Sequence, residues 1–257
     1  MQTQSRAVAP NLRVLHILSV LASEGRPLSP AELTAATGWP KQTVHRLCQT
    51  MVTEGLLEKQ NRKLSPTKHV HQIAAGLANF ATTQQECHQV LQHVASAIGE
   101  TVNFVRPEKQ GMTYVDRVET NWPFRVLLPV GTHVPFHCTA SGKTFLASLP
   151  AARRHSFISK LALKPATPHT HTTVESLAAE LEIIRKSGYA MDREEFHLDM
   201  VAIAVPVLDH RNAFFAALAI HGPAQRFNLE SAQAALPLLK DSAVTLRATI
   251  FGANAGT

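Results

Sequence analysis

The sequence lacks several features that mark common classes of protein. No apolar run approaches the roughly 20 residues that span a membrane, and the first ten residues, MQTQSRAVAP, lack the apolar core of a secretory signal. The three cysteines, Cys48, Cys87 and Cys138, are scattered without CxxC spacing. This pattern argues against a disulfide framework and against a thiolate zinc site. We therefore expect a cytoplasmic protein in a reducing compartment.

Nucleotide-binding loops are missing as well. No GxGxxG follows any strand-like segment, so a dinucleotide fold has no support. Residues 137–147, HCTASGKTFLA, contain a Gly142-Lys143-Thr144 triplet that is similar to the end of a phosphate-binding loop. Such a loop needs a glycine five residues before the Gly-Lys pair, and that position is His137 here. The stretch is therefore not a Walker loop.

What the chain does have is an uneven distribution of charge. The net charge is +6 over 257 residues. Residues 1–80 carry nine Lys or Arg against four Glu, whereas residues 81–257 carry sixteen basic against fifteen acidic side chains. Because phosphate contacts need Lys and Arg clustered on one module, the N-terminal third is predicted to bind a polyanion. A basic surface without a partner is the alternative that charge alone leaves open.

The N-terminal third contains the signals of three successive helices. An apolar repeat at helical spacing predicts a first helix over residues 11–23. In LSPAEL, Ser29 as N-cap and Glu32 three residues later form a capping box that starts a second helix. This helix ends at Gly38, a natural C-terminal stop. A third helix, PKQTVHRLCQTMVTEG, begins at Pro40 and places its apolar residues on one face.

The opposite face of the third helix is polar and basic. Two helices joined by a tight glycine turn describe a helix-turn-helix, whose second helix offers its first turns to base edges in the major groove. The segment LLEKQNRKLSP then predicts a hairpin, or wing. The residues that we predict to contact DNA are Ser29, Lys41, Gln42, Thr43, His45, Arg46, and, at the wing tip, Arg62 and Lys63. A solvated helical hairpin without a partner is the alternative interpretation.

These residues carry a family resemblance. The stretch LSPAELTAATGWPKQTVHRLCQTMVTEGLL closely resembles the winged helix of IclR-type transcriptional regulators. The segments GTHVPFHCTASGKTFLASLP, GYAMDREEFHLDMVAIAVPVLD and FFAALAIHGPAQRF correspond in order and spacing to the effector-binding domain of that family, which is similar to GAF small-molecule sensors. The resemblance covers about residues 10–250. One departure is Arg62-Lys63-Leu64-Ser65-Pro66, which replaces a glycine-x-tyrosine-x-leucine-glycine pattern and predicts a shorter or differently shaped wing.

The pattern of elements and the resemblance predict a chain of two domains. Residues 1–67 form a mostly α winged helix-turn-helix domain, residues 68–83 a linker helix, and residues 84–257 an α+β GAF-like effector-binding domain. A break near Thr82-Thr83 ends the linker helix. Three strand-like runs (TVNFV, MTYVDRV and FRVLLPV) come first and two more (VAIAVPVL and FFAALAI) much later, with helical patterns between the two groups (ARRHSFISKL and VESLAAELEIIRKSG) and after them (residues 229–251). Their order favours an α+β sheet over a doubly wound fold.

The resemblance implies a small organic acid as effector. Related regulators hold it at free N–H groups of the turn before the Gly-Lys pair, where a helix start suits a carboxylate. Mapped by position, the effector site is Ala140, Ser141, Asp192, Ala202, Ala219 and His221, and Phe136, Met112 and Phe214 are predicted to line it. Because three of these positions lack the family's small polar or thiol side chains, we expect a bulkier or aromatic ligand. A hydrogen-bonded core residue is the alternative for His221.

The sequence gives less support to a metal site or a catalytic site. His133 and His137 flank a stretch that is unlike a helix, and His169 and His171 alternate in a loop, so converging ligands do not follow. We predict no metal site and no cofactor. Cys138 beside His137 resembles a nucleophile and its base, but neighbouring residues of an extended chain point to opposite faces. We predict no catalytic residues.

The function predicted from the sequence is that of a transcriptional regulator. Its partners are a double-stranded DNA operator and a small carboxylate effector. We expect at least a homodimer, because one recognition helix reads too few bases for useful specificity. By resemblance, the linker helix helps the dimer to pair, and a tetramer of two dimers is plausible. A small-molecule-binding enzyme or sensor with an incidental basic N-terminal module is the alternative.

Overall fold

The computed structural model describes residues 8–122 and 128–252. Contacts within the chain divide it into two compact units, Met1–Thr82 and Thr83–Thr257. Among the helices of the described ranges, none combines the length and the apolar character that a membrane crossing requires.

The first unit contains three helices followed by a two-stranded hairpin. After a 3-10 turn at Pro10–Leu12 come α1 (Arg13–Glu24), α2 (Pro30–Thr37) and α3 (Lys41–Thr53), then β1 (Leu57–Gln60) and β2 (Lys63–Pro66), which pair antiparallel. One apolar core joins these elements through Ile17, Leu21, Leu28, Leu33, Val44, Cys48, Met51, Leu57 and Leu64. The prediction of a winged helix-turn-helix is confirmed.

The start and end of α2 follow from local chemistry. The amide of Glu32 donates to Ser29 Oγ at 3.3 Å, and the amide of Ser29 donates to Glu32 Oε2 at 2.8 Å, which is the predicted capping box. The helix ends at Gly38, whose φ of 69° lies in the left-handed region. Glycine adopts that conformation without steric cost, so the turn into α3 is fixed by sequence.

The wing has a tight turn at its tip and a backbone bridge from its second strand to an earlier segment of the chain. At the tip, Asn61 and Arg62 have φ angles of 49° and 63°, as in the two-residue turns that match the twist of a hairpin. At the second residue of β2, Leu28 and Leu64 each donate an amide to the other's carbonyl, at 3.0 and 2.8 Å. The wing is therefore hydrogen-bonded to the chain segment that precedes α2.

A single long helix, α4 (Lys68–Ile98), follows the wing. The predicted break at Thr82-Thr83 is therefore wrong. The Thr82 hydroxyl donates to the carbonyl oxygen of Ala78 at 3.1 Å, so the threonine side chain is satisfied inside the helix. Two β-branched residues lower helix propensity but do not remove a backbone hydrogen bond. The boundary between the two compact units lies within this helix.

The second unit is built on a six-stranded antiparallel sheet with the strand order β5-β4-β3-β8-β7-β6. Its strands are β3 (Thr101–Pro107), β4 (Met112–Val118), β5 (His133–Val134), β6 (Ala190–Arg193), β7 (Met200–Leu208) and β8 (Phe214–Pro223). Its further helices are α5 (Ala140–Ser148), α6 (Ala151–Ile158), α7 (Val174–Ser187), α8 (Leu229–Ala234) and α9 (Leu236–Phe251). The α+β class is confirmed.

Three details of the second unit differ from the prediction or fall outside it. The short strands β5 and β6 were not predicted. The predicted final helix is divided in two at Ala235. The predicted strand FRVLLPV, residues 124–130, lies largely outside the described residues.

Helices cover both faces of this sheet. On one face, α8, α9 and the C-terminal part of α4 pack against strand residues in a core that includes Leu91, Ile203, Leu218 and Leu239. On the other face, the start of α5 packs against β7 and β8 in a patch made of Ala140, Ala202, Ala204, Ala217 and Ala219. Because these side chains are small, the N-terminus of α5 lies close to the middle of the sheet.

Candidate DNA-binding face and effector site

The predicted DNA contacts on α3 lie on the face opposite to its buried residues. The side chains of Lys41, Gln42, His45 and Arg46 are exposed, and that of Thr43 is half-buried. Within the described residues, no hydrogen bond or ion pair engages any of these five side chains. Arg62, at the turn of the wing, and Lys63, which begins β2, are exposed too. This face is chemically open to a ligand.

Ser29 differs from the other predicted DNA contacts. Its hydroxyl donates to Glu32 Oε2 at 2.8 Å and accepts the amide of Glu32, so it is engaged in capping α2. The local role of Ser29 is therefore to start the helix.

The positions predicted for the effector site meet in one small cavity of the second unit. The cavity has a volume of about 20 Å³ and is lined by Asn103, Tyr114, Thr139, Ala140, Ser141, Asp192, Phe196, Met200, Ala202, Ala219 and His221. All six positions mapped from the family resemblance are among them. In this conformation the space is close to that of one water molecule.

Three predicted lining residues lie elsewhere. Met112 is fully buried in the apolar core between the sheet, α5 and α7. The Phe136 ring packs against Phe145 and Phe157, with ring centroids 5.3 Å apart in both pairs, and Phe214 packs against Phe145 at 5.3 Å. None of the three is among the residues that line the cavity. The predicted contacts at Met112, Phe136 and Phe214 are corrected accordingly, because large apolar side chains pack together in the core.

Five cavity residues were missed by the sequence prediction: Asn103, Tyr114, Thr139, Phe196 and Met200. Asn103 reaches the cavity because β3 pairs with β8, where Asn103 lies opposite Ala219. Such pairing of distant segments leaves no local signal. Thr139 could have been found, since a threonine before a helix start is a common N-cap.

The start of α5 supplies backbone donors to the cavity. The helix begins at Ala140, so the turn before the Gly-Lys pair is already its first turn. The Thr139 hydroxyl accepts the amide of Gly142 at 3.1 Å, and the Thr139 carbonyl accepts the amide of Lys143 at 2.9 Å. The amides of Ala140 and Ser141 are left without a partner inside the helix. They lie at the positive end of the helix dipole, which favours an anion.

The Gly-Lys pair of this helix has a structural role. A Cβ atom on Gly142 would lie 2.4 Å from the carbonyl oxygen of Phe136, so only glycine fits there. The Lys143 side chain is fully buried and its Nζ lies 2.7 Å from Glu180 Oε1 and in contact with Glu195 Oε1. A buried ammonium is tolerated because it is paired with carboxylates. Lys143 thus links α5 to α7 and to the turn after β6.

Asp192 is the most perturbed acid of the cavity. It is 1% exposed, and its Oδ1 accepts the amides of Glu195 at 2.7 Å and Phe196 at 3.3 Å. Its Oδ2 has no hydrogen-bond partner among the described residues. Burial, and then the nearby charge of Glu195, raise the pKa of Asp192 to about 7. Near neutral pH this carboxyl can therefore exist as a hydrogen-bond donor or as an acceptor.

The sequence left open whether His221 lines the effector site or is a hydrogen-bonded core residue, and the structure shows both features. His221 lines the cavity, and its Nδ1 lies 3.1 Å from Nδ2 of the buried Asn103. The Oδ1 atom of Asn103 has no hydrogen-bond partner among the described residues. The hydrogen bond orients the imidazole at the wall of the cavity.

His137 and Cys138, which were not predicted to act as a base and nucleophile pair, do not pair in the structure. His137 Nε2 lies 2.9 Å from the carbonyl oxygen of Lys164. Cys138 is fully buried, and this burial raises the pKa of its thiol to about 12. A neutral thiol without a base is inert as a nucleophile. His133 lies 2.9 Å from Glu108, so the two histidines have different partners.

A helix-turn-helix with an exposed polar second helix in one unit and a small cavity in the other fit the class of transcriptional regulators that sense a small molecule. Two family models match the chain in the same order. Residues 12–61 match the IclR helix-turn-helix domain, and residues 80–248 match the bacterial transcriptional regulator IclR C-terminal domain. The chain belongs to the IclR family of transcriptional regulators.

Curated relatives agree with this assignment. The chain is 36% identical over 242 residues to the probable transcriptional regulator SauR of Cupriavidus necator, which covers 93% of this chain and 95% of the relative. It is 27% identical to the transcriptional repressor IclR of Escherichia coli, covering 83% of this chain and 80% of the relative. These relatives are regulators, and the chain is a regulator rather than an enzyme.

Solved structures show the same fold. The IclR protein of Thermotoga maritima superposes with a TM-score of 0.62 at 25% identity, covering 93% of this chain and 97% of that one. The inducer-binding domain of PobR from Acinetobacter, solved as a double mutant in complex with 3-hydroxybenzoic acid, has a TM-score of 0.58 at 28% identity. It covers 62% of this chain and 94% of that domain.

Proposed function

We propose that this regulator binds a DNA operator as a homodimer, through α3 and the wing, and that a small carboxylate effector controls this binding. The observation that carries the proposal is the open face of α3. Arg46 and Lys41 can donate to guanine, and Gln42 can pair with adenine. Thr43 and His45 can serve either bases or phosphates. Arg62, Lys63 and the region of Ser29 are assigned to the phosphate backbone, which fixes register and carries no sequence information.

An apolar stripe supports the homodimer. Ile73, Leu77 and Phe80 recur at helical spacing in the N-terminal part of α4 and are 48%, 67% and 63% exposed. Large side chains grouped on one helix face are typical of an interface. A second copy of the chain is the partner that a regulator needs to read two half-sites. We therefore assign the dimer interface to this stripe.

The effector site combines donors and acceptors. The free amides of Ala140 and Ser141 suit a carboxylate, and Asp192 near them can donate a hydrogen bond to it when protonated. The PobR domain bound to 3-hydroxybenzoic acid favours an aromatic acid for the related cavity here. Because the cavity holds only about 20 Å³, an aromatic effector must displace wall side chains, of which Phe196 and Met200 are the largest flexible candidates. The side chains of Ala202 and Ala219 are small and take up little of the space at the sheet side of the site.

The effector assignment is tested by calorimetric titration of the full chain with a panel of acids: pyruvate, benzoate and 3-hydroxybenzoate. We expect the aromatic acids to bind more tightly than pyruvate. Affinity should fall up to tenfold per pH unit above pH 7, because ionised Asp192 repels the carboxylate. The Asp192→Asn variant should bind with little pH dependence. Binding of pyruvate alone, or equal pH profiles for both proteins, would refute the assignment.

The operator assignment is tested by selection of genomic DNA fragments with the full chain, followed by sequencing. We expect recovered fragments to share an inverted repeat whose half-sites are centred a whole number of helical turns apart, since two recognition helices of a dimer enter successive major grooves. Fragments without a shared motif would indicate non-specific DNA binding and would contradict sequence recognition by α3. The selected repeat then serves as the operator for quantitative binding.

A further inference from the structure

A second cluster of polar side chains lies beside the effector cavity. It consists of His171, in the loop before α7, Glu180 on α7, and Glu195 in the turn after β6. His171 Nε2 lies 2.5 Å from Glu180 Oε2 and 4.0 Å from Glu195 Oε2. One imidazole nitrogen and two carboxylate oxygens thus lie within 4.8 Å of one another. The sequence singles out His171 only together with His169, and no local pattern connects it to Glu180 and Glu195, because the three residues come from different elements of the chain.

The two carboxylates divide their oxygens between two neighbours. The Oε1 atoms of Glu180 and Glu195 both contact the ammonium of Lys143, and the Oε2 atoms both face His171. The Glu195 side chain is 4% exposed, and its Oε2 has no hydrogen-bond partner among the described residues. A buried carboxylate oxygen without a partner is costly unless a ligand completes it.

The charge balance of the cluster also leaves room for a cation. Two carboxylates face a single buried ammonium, that of Lys143. Arg193 reaches Glu180 Oε1 at 3.3 Å, but its side chain is 53% exposed and its charge is largely screened by solvent. His171 and the half-exposed Arg193 are the other partners of these carboxylates, and a bound divalent cation would add positive charge where only Lys143 is fully buried.

A route from solvent leads to the cluster. A cavity of about 440 Å³ is lined by His171, Glu180 and Arg193 together with Ser176, Tyr189 and Met191. The side chains of His171 and Glu180 are 20% and 16% exposed. An ion can enter from this side and keep water molecules in the positions that the protein leaves open.

We propose that His171 Nε2, Glu180 Oε2 and Glu195 Oε2 bind a divalent metal ion, with Zn²⁺ the best match, and that water from the cavity completes its coordination. Imidazole and carboxylate ligands suit Zn²⁺, and three protein ligands with one open position form a common type of zinc site. Zinc bonds of about 2.0–2.2 Å place neighbouring ligand atoms roughly 3–3.5 Å apart. Among the three ligand atoms of this cluster, the distance from His171 Nε2 to Glu180 Oε2 is 2.5 Å and all distances are within 4.8 Å, so the zinc value falls inside that range.

The bound ion has a consequence for the effector cavity, which rests on the proposed function. The amide of Glu195 donates to Asp192 Oδ1 at 2.7 Å, and the next residue, Phe196, lines the cavity. The Thr170 hydroxyl, next to His171, donates to the Glu195 carbonyl at 2.6 Å. An ion that joins His171 to Glu195 therefore holds the turn that forms one wall of the effector site.

The test is a calorimetric titration of the full chain with Zn²⁺ in the absence of any effector. The His171→Ala and Glu180→Gln variants remove a ligand from a partly exposed position, so the fold should persist. The matched control is His169→Ala, which removes an exposed histidine of the same loop. We expect at least tenfold tighter Zn²⁺ binding by the wild type and the control than by the two ligand variants. The chain has 14 histidines, so the comparison between variants separates this site from adventitious binding.

A second readout identifies the ligand set. Co²⁺ in a four-coordinate protein site absorbs visible light much more strongly than hydrated Co²⁺, so the wild type and His169→Ala should show intense bands and His171→Ala should not. Zn²⁺ should also raise the thermal unfolding midpoint of the first two proteins only. No Zn²⁺ binding by the wild type, or equal binding by His171→Ala and His169→Ala, would overturn the proposal. Both outcomes leave the effector and operator assignments intact, because these are measured without metal.

Discussion

At the scale of single residues, burial gives Lys143 and Asp192 different electrostatic states within one region. Lys143 is fully buried but meets two carboxylates, so its charge is compensated. Asp192 is equally buried, and its contacts are backbone amides and the like charge of Glu195. The cost of burial is therefore offset by ion pairs at Lys143, whereas at Asp192 it raises the pKa. Asp192 is therefore the carboxyl whose pKa lies near neutrality in the cavity that we propose as the effector site.

The raised pKa of Asp192 predicts a pH dependence of stability. Its pKa rises from 3.8 to about 7 on folding, so the folded state holds a proton that the unfolded state has lost above pH 4. The stability that this proton contributes is present below about pH 4 and is lost as the pH rises through 7. Three pH units correspond to about 4 kcal/mol.

Urea unfolding of the full chain from pH 4 to pH 8 measures this effect. The free energy of unfolding of the wild type, relative to that of Asp192→Asn, should fall by up to about 4 kcal/mol across the range. Asparagine keeps the oxygen that accepts the two amides, so it serves as the matched reference. Parallel pH profiles of the two proteins would show that Asp192 is ionised in the folded state.

The residues of the effector site show what sequence can predict at this scale. Ala140, Ser141 and Asp192 were predicted to lie together because the motifs around the Gly-Lys pair and in YAMDREE resemble a family pattern, and all three line one cavity. Phe136 and Met112 were placed wrongly, because size and polarity alone do not distinguish a cavity wall from a core. The sequence around a residue does not show which distant strand will pair with it. Cavity residues that lie on paired strands were therefore missed.

At the scale of elements, the helices of the first unit were predictable because their ends are coded locally. The capping box at the start of α2 and the glycine at its end act within one helical turn. The strands β5 and β6 span two and four residues, too few for an alternating pattern to emerge. They exist because β4 and β7 offer free edges to pair with. The continuity of α4 across Thr82 was likewise hidden, since threonines suggest a break that backbone hydrogen bonding overrides.

The apolar stripe of α4 gives a prediction about assembly. Leu77→Glu places a charge at the centre of the proposed dimer interface, and burying an unpaired carboxylate is costly. We expect the variant to sediment as a monomer at concentrations where the wild type is a dimer. The matched control is Ile183→Glu on α7, since Ile183 and Leu77 are both 67% exposed. Sedimentation velocity of the three proteins decides the matter, and a dimeric Leu77→Glu protein would exclude this stripe as the interface.

At the scale of the whole molecule, the chain separates two tasks along its sequence. The excess positive charge is carried by residues 1–80, which contain nine basic and four acidic side chains, and the cavity that we propose as the effector site is in the second unit. For an effector to control DNA binding, it must bind with different affinities to the states of the protein that can and cannot bind DNA. The effector can change operator affinity only by that difference.

The central claim is sequence-specific DNA recognition by α3, and Arg46 tests it most directly. The measurement is a gel shift of wild type, Arg46→Ala and Arg26→Ala on the selected operator at one fixed salt concentration. Arg26 is the matched control, because it is a basic residue of the same unit that is already paired with Glu24 and Glu32 at 3.2 and 2.7 Å. Both variants remove one positive charge.

We expect Arg46→Ala to bind the operator about 5- to 150-fold more weakly, which corresponds to 1–3 kcal/mol for a lost base contact. Arg26→Ala should stay within about twofold of the wild type, since a paired surface charge contributes little. Equal affinity of Arg46→Ala and wild type, or equal losses in both variants, would contradict recognition of the operator by α3.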